Sequence, residues 1–176
     1  MEISIDKLIW TIGHSTKTFD DFVSILKKAD IELIADIRSL PGSRKFPQFN
    51  KENLALALPA NKINYIHIPK LGGRRKVSKD SHNTAWRHPA FRGYADYMET
   101  NDFLSGIEEL TSLAEMQKTA MMCAEALWWR CHRSMISDYL KLTGWKVLHI
   151  ISNNKVEEHS YTGPAKIVNG KLYYSS

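Results

Sequence analysis

Short apolar runs recur along this chain, each followed by a polar loop and then by a stretch whose apolar positions repeat at helical spacing. The runs fall at residues 8–12, 31–37, 65–68, 119–123 and 146–151. Between the first two, Phe22, Val23, Ile25, Leu26 and Ala29 share one helical face, with Thr18 or Asp20 placed to cap it. Residues 51–58, 91–97, 103–116 and 134–142 offer further helices. Connections this long suit crossovers between parallel strands, with each helix covering sheet surface that a strand cannot bury alone. The pattern predicts an α/β fold: a mainly parallel, open, Rossmann-like sheet with helices on both faces. Asn169-Gly170, flanked by 165–168 and 171–174, is a two-residue hairpin signal. The expected organisation is one α/β domain over 1–176, with 156–176 as a C-terminal hairpin appendage.

No apolar run approaches the roughly 18 residues that span a bilayer. Residues 1–7 lack the charged-then-apolar plan of a signal peptide. Two cysteines and no export signal suit a reducing compartment, so the chain is expected to be cytoplasmic and not bound to membrane. A net charge of +5 leans only mildly towards an anionic partner.

The polar residues gather where the runs end. His14 and Ser15 leave the first; Asp36 and Arg38 end the second, with Ser43 and Arg44 in its Pro- and Gly-punctuated loop. Gly72, Gly73, Arg74 and Arg75 follow the third. Cys123 and Glu125 end the fourth, and Cys131, His132 and Arg133 open the next helix. In a parallel sheet these exits share the carboxyl edge, where α/β folds bind ligands. Helix capping and a plain Asp36–Arg38 ion pair are the structural alternatives.

Cys131 is expected near a helix N-terminus among Arg130, His132 and Arg133, a setting that favours thiolate and so a nucleophile. Its alternative is a small buried hydrophobe, the reading preferred for Cys123 inside its apolar run. Glu125 faces the same side as Cys123 if the strand persists, and offers an acid, a base or a ribose ligand. His14 follows Gly13, which lets backbone approach a ligand. The spacing does not suit a cysteine phosphatase, whose thiolate and arginine are separated by five intervening residues: six residues separate Cys123 from Arg130 and one separates Cys131 from Arg133. A deaminase-type zinc site lacks its second cysteine pair and a structural zinc lacks a fourth ligand, so no metal and no cofactor is expected.

From residue 70 to 92, Lys70, Arg74, Arg75, Lys76, Lys79, Arg87 and Arg92 face Asp80 as their only acid, with Trp86 and Phe91 interleaved. Cations neutralise phosphates and aromatic faces stack on bases, so the mixture suits a nucleotide or nucleic acid; a solvated loop is the alternative.

Several segments together resemble the domain of unknown function 488 family: Thr11-Ile12-Gly13-His14-Ser15, Asp36-Ile37-Arg38, Pro41-Gly42-Ser43-Arg44, Pro47-Gln48-Phe49, Leu71-Gly72-Gly73-Arg74-Arg75, the stretch from Phe91 to Met98, Cys123-Ala124-Glu125 and Cys131-His132-Arg133. The resemblance runs from Ile12 to Tyr174, in family order, and implies an α/β domain with its shared polar residues on the edge described above. It brings no reaction with it. Trp128-Trp129 depart from it, standing where a proline-containing approach to the second cysteine is expected. Two functions stay open: an enzyme acting on a nucleotide or nucleic acid, with Glu125, His14, Cys131 and His132 as its chemistry and Arg38, Arg44, Arg74 and Arg75 on phosphate, or a non-catalytic module that senses such a ligand.

Overall fold

A computed structural model describes residues 7–176; residues 1–6, most of the segment read above for a targeting signal, lie outside the described residues. Six strands form one sheet: β1 (Leu8–Gly13), β2 (Leu33–Asp36), β3 (Asn64–His67), β4 (Thr119–Cys123), β5 (Lys146–Ser152) and β6 (Lys155–Glu158). Their order is β3-β2-β4-β1-β5-β6. The first five are parallel, and β6 closes one edge antiparallel to β5. The register sets Gly13 beside Cys123, and Asp36 between Met122 and His67, so four strands end level on one edge.

Among the described residues five α-helices cover the sheet: α1 (Phe19–Lys28), α2 (Lys51–Ala60), α3 (Pro89–Tyr97), α4 (Asn101–Met116) and α5 (Arg133–Leu142). Thr18 starts α1, its Oγ1 accepting from the Asp21 N–H at 3.1 Å. The period-two alternation of the strands divides the core. Trp10, Ile12, Ile34 and Met122 pack with α1 and α2 on one face. Ile9, Ala35, Met121 and Val147 pack with α3, α4 and α5 on the other.

The second strand is shorter than its apolar run, because Ile31 and Ile37 are buried from the flanking turns rather than from the strand itself. The tail divides differently from the 156–176 appendage expected. Residues 155–158 join the main sheet, since an edge strand needs backbone pairing rather than apolar side chains. The hairpin is confined to β7 (Lys166–Val168) and β8 (Lys171–Tyr173), turned by Asn169 and Gly170, both at positive φ. Tyr174, 3% exposed, ties it down by donating its hydroxyl to Asp138 of α5 at 2.8 Å.

The long segment before α3 is pinned rather than loose. Asp96 accepts from the Ser78 N–H, the Ser81 hydroxyl and the Asn83 amide at 2.6–2.8 Å. Trp86 stacks on Phe91 with ring centroids 4.8 Å apart.

The tightest crossing is between two strand exits. A Cβ built on Gly13 would lie 1.6 Å from the Glu125 carbonyl oxygen, so the glycine makes room for the chain leaving β4, not for a ligand as its sequence position suggests. Gly13→Ala is expected to lower unfolding free energy by about 1–3 kcal/mol in urea titration, an overpacking cost. Gly163→Ala, which meets nothing within 4 Å, is expected to stay within about 0.5 kcal/mol of the parent.

Candidate functional site

β1 and β4 are neighbours, yet β1 feeds α1 on one face and β4 feeds α5 on the other. The diverging exits open a crevice at the carboxyl edge. It holds a cavity of about 210 Å3 lined by Arg38, Ser39 and Leu40 after β2, by Gly73 and Arg74, by Cys123, Ala124 and Glu125, and by Cys131 and His132. A larger cavity of about 340 Å3, between α3, the end of α5 and the hairpin, receives none of these strand exits.

Both cysteines are free, and their sulfurs lie 3.0 Å apart. Cys123 is the last residue of β4, on the face turned towards α5. Cys131 immediately precedes His132, the N-cap of α5. Burial pushes the Cys123 thiol up, and its proximity to Cys131 adds to the rise. Burial also opposes ionisation of Cys131. It is outweighed by the hydrogen bond from Cys123 and the positive charge of Arg133, which bring the thiol down to about 5. His132 adds little standing charge, because burial lowers its own pKa. One sulfur is therefore the thiolate and the other the donor that stabilises it.

Arg133 is 1% exposed and has no carboxylate partner among the described residues. Its Nη2 donates to the Glu125 carbonyl at 2.8 Å and its Nη1 to Thr11 Oγ1 at 3.4 Å, while Nε has no partner. From Thr11 a buried chain of donors runs on: Thr11 Oγ1 to His149 Nδ1 at 2.6 Å, His149 Nε2 to His159 Nδ1 at 2.8 Å, and His159 Nε2 to Asp138 at 2.8 Å. With Arg133 necessarily donating at one end and Asp138 accepting at the other, one set of tautomers satisfies every link. Burial keeps His149 neutral. Trp128 lies flat on the His149 ring, 4.3 Å between centroids, and donates its Nε1–H to Glu157 at 2.6 Å. The tryptophan pair that departs from the resemblance thus forms a 3-10 turn, Trp128–Arg130, roofing this chain.

Arg38 is occupied. It forks onto Asp36, donates from Nη2 to the Phe49 carbonyl and from Nη1 to His14 Nε2 at 3.3 Å. Tyr65 also donates to Asp36, at 2.5 Å. His14 gives its Nδ1–H to the Ser15 carbonyl and stacks on Phe49; burial pushes it down to about 4, so at neutral pH it is an acceptor for Arg38. His132 donates Nε2–H to the Ile37 carbonyl, and its Nδ1 would lie 3.0 Å from a Cβ on Gly73, which sets that glycine's close approach.

Of the residues singled out from sequence, Arg38, Gly73, Arg74, Glu125, Cys131 and His132 meet at the cavity. Asp36, His14 and Arg133 sit behind its wall. Ser15, at positive φ, continues the pairing of β1 with the chain after β4 through its N–H. Gly72 is buried against Ser39. Ser43 accepts two backbone N–H groups in its own turn, and Arg44 is exposed away from the cavity lining. Arg75 stacks on Tyr97 at 3.7 Å and bonds the Gly72 and Pro69 carbonyls, which makes it a brace for the loop. Arg92 likewise holds the Trp86 carbonyl. Arg74 is exposed, at positive φ, on the cavity rim. Sequence reading missed Cys123 as a wall residue. Its position as the last strand residue, eight before Cys131, was the available signal. It also missed Ser39 and the whole Thr11–Asp138 chain.

The family model described as domain of unknown function DUF488 matches residues 18–140 of this chain. The chain belongs to that family. No curated protein and no solved structure matches it. The matched span of this DUF488 chain holds both cysteines, Arg38, Arg74 and Glu125, while Thr11, His149 and His159 lie outside it. Among the described residues no helix is long and apolar enough to cross a membrane.

Because the Cys131 thiol is depressed to about 5, its thiolate is present above that pH and is lost as pH falls through it. Iodoacetamide is expected to alkylate Cys131 down to that range and to leave Cys123 unmodified in the folded chain, as read by peptide mapping across a pH series. Equal inertness of both thiols would return Cys131 to a packing role.

Proposed function

We propose that this DUF488 chain is an enzyme that binds a phosphate-bearing ligand, a nucleotide or nucleic-acid end, at the carboxyl edge and acts on it with the Cys131 thiolate. The observation that carries this reading is one cavity with a nucleophilic sulfur in its wall and on its rim the guanidinium of Arg74, which has no ion-pair or hydrogen-bond partner among the described residues. At about 210 Å3 the cavity is smaller than the roughly 300–1,000 Å3 clefts that enclose whole drug-sized ligands. It therefore takes the phosphate-bearing end, and the exposed Lys76, Lys79 and Arg87 add positive charge to the segment that follows Arg74. Glu125 lines the cavity with no ion-pair partner among the described residues, and serves as the acid or base. Arg38, His14 and His132, whose polar groups are largely committed to the protein, hold the wall in place.

The runner-up, a non-catalytic sensor of the same ligand, is favoured by Arg74 and the exposed cations, which need no sulfur chemistry. Titration calorimetry with nucleoside phosphates, single strands and duplexes separates the outcomes. Binding is expected to weaken steeply with salt. Arg74→Ala is expected to weaken it by roughly tenfold, the worth of a charge-assisted hydrogen bond. Glu125→Gln is expected to bind normally; loss of turnover in that variant marks the enzyme, and turnover absent from the parent marks the sensor. If no nucleotide or nucleic acid binds with salt sensitivity, the proposal fails.

A further inference from the structure

Cys123 has no part in holding a phosphate. Yet it reaches Cys131 at 3.0 Å across the cavity wall, from a different element and eight residues earlier in the chain. A buried thiol in contact with an accessible thiolate is the arrangement by which a second cysteine resolves an oxidised first one. We propose that Cys131 and Cys123 form a dithiol couple that reduces small hydroperoxides, Cys131 as the attacking sulfur and Cys123 as the resolving one. The inference rests on the same Cys131 sulfur as the proposed function but not on its phosphate ligand.

The Cys131 thiolate attacks the distal oxygen of the hydroperoxide. An S–O bond forms, the O–O bond breaks, and the leaving alkoxide takes a proton from solvent. Cys131 is now a sulfenic acid. The Cys123 sulfur attacks Cys131 Sγ, its proton leaves with the hydroxyl as water, and an intramolecular disulfide closes. An external dithiol returns both sulfurs to the reduced state by exchange. The groups facing Cys131 suit the first step. Arg133 and the N-terminus of α5 favour the thiolate, His132 is neutral, and Arg38, Arg74 and Glu125 line the approach. The cavity admits a small peroxide. Closure needs the sulfurs to approach by about 1 Å, to the bonded distance of about 2.05 Å.

The test treats the full, reduced chain with stoichiometric hydrogen peroxide and measures intact mass and cysteine peptides. The expected product is lighter by about 2 Da, the two hydrogens lost on disulfide formation. It carries a Cys123–Cys131 cross-link and reverts with dithiothreitol. In Cys123→Ala, dimedone is expected to trap a sulfenic acid at Cys131; in Cys131→Ser, Cys123 is expected to stay reduced. If Cys123→Ala does not fold, the cross-link in the parent chain decides alone. An unmodified parent, or one that gains oxygen at Cys131 without a cross-link, overturns the couple. Nucleotide binding by the reduced chain is unaffected by that outcome, so the two proposals fail separately.

Discussion

A guanidinium sealed inside a protein without a carboxylate beside it is costly unless other groups take up its charge and its hydrogen bonds. Among the described residues Arg133 is such a group, 1% exposed at the first turn of α5. Three features answer that cost. The chain leaving β4 bends so that the Glu125 and Ala126 carbonyls face the guanidinium. Thr11 accepts from it and passes hydrogen bonding on through two histidines to Asp138. Cys131 lies two residues away, and its thiolate is favoured by the same positive charge.

These demands tie the fold to the site. The bend after β4 presses the Glu125 carbonyl against Gly13 and fixes how the β1 and β4 exits cross. Asp138, which ends the buried chain, also collects the Thr162 backbone and hydroxyl and the Tyr174 hydroxyl, so the C-terminal segment is anchored at the far end of the chain that starts on Arg133. Trp128 shields His149 from water, which keeps that ring neutral and in line. Hydrogen bonds thus connect the tail to Arg133, and the tryptophan turn packs on that chain.

The alternation of apolar runs and helical stretches was enough to read a mostly parallel α/β sheet, because period and crossover length are local properties of sequence. The collection of polar residues at strand exits followed from the same reasoning. What the sequence concealed depends on partners distant along the chain. Arg75 and Arg92 read as free cations beside Arg74, but Tyr97 and the Trp86 carbonyl commit them. Arg38 read as a phosphate ligand, yet Asp36, Phe49 and His14 occupy most of its donors. Cys123 read as packing because its apolar run is buried; only the docking of α5 brings its sulfur to Cys131. Thr11, Asp138, His149 and His159 are ordinary residues in ordinary elements until the sheet assembles them. The edge strand β6 escaped for a related reason: its Lys155-Val156-Glu157-Glu158 is polar, and backbone pairing leaves little mark on side-chain pattern.

The Cys123 donor and the Arg133 charge together hold Cys131 as a thiolate, and ultraviolet thiolate absorbance followed against pH isolates the share that Arg133 supplies. The Arg133→Lys variant keeps the charge and Arg133→Met removes it, with circular dichroism reporting whether each still folds. The Cys131 midpoint is expected in the acid range for the parent chain, with little change on substitution by lysine. With methionine the midpoint is expected to rise by at least about one unit, the effect of losing a nearby opposite charge. A folded Arg133→Met chain that ionises at the same pH as the parent would contradict that role for Arg133.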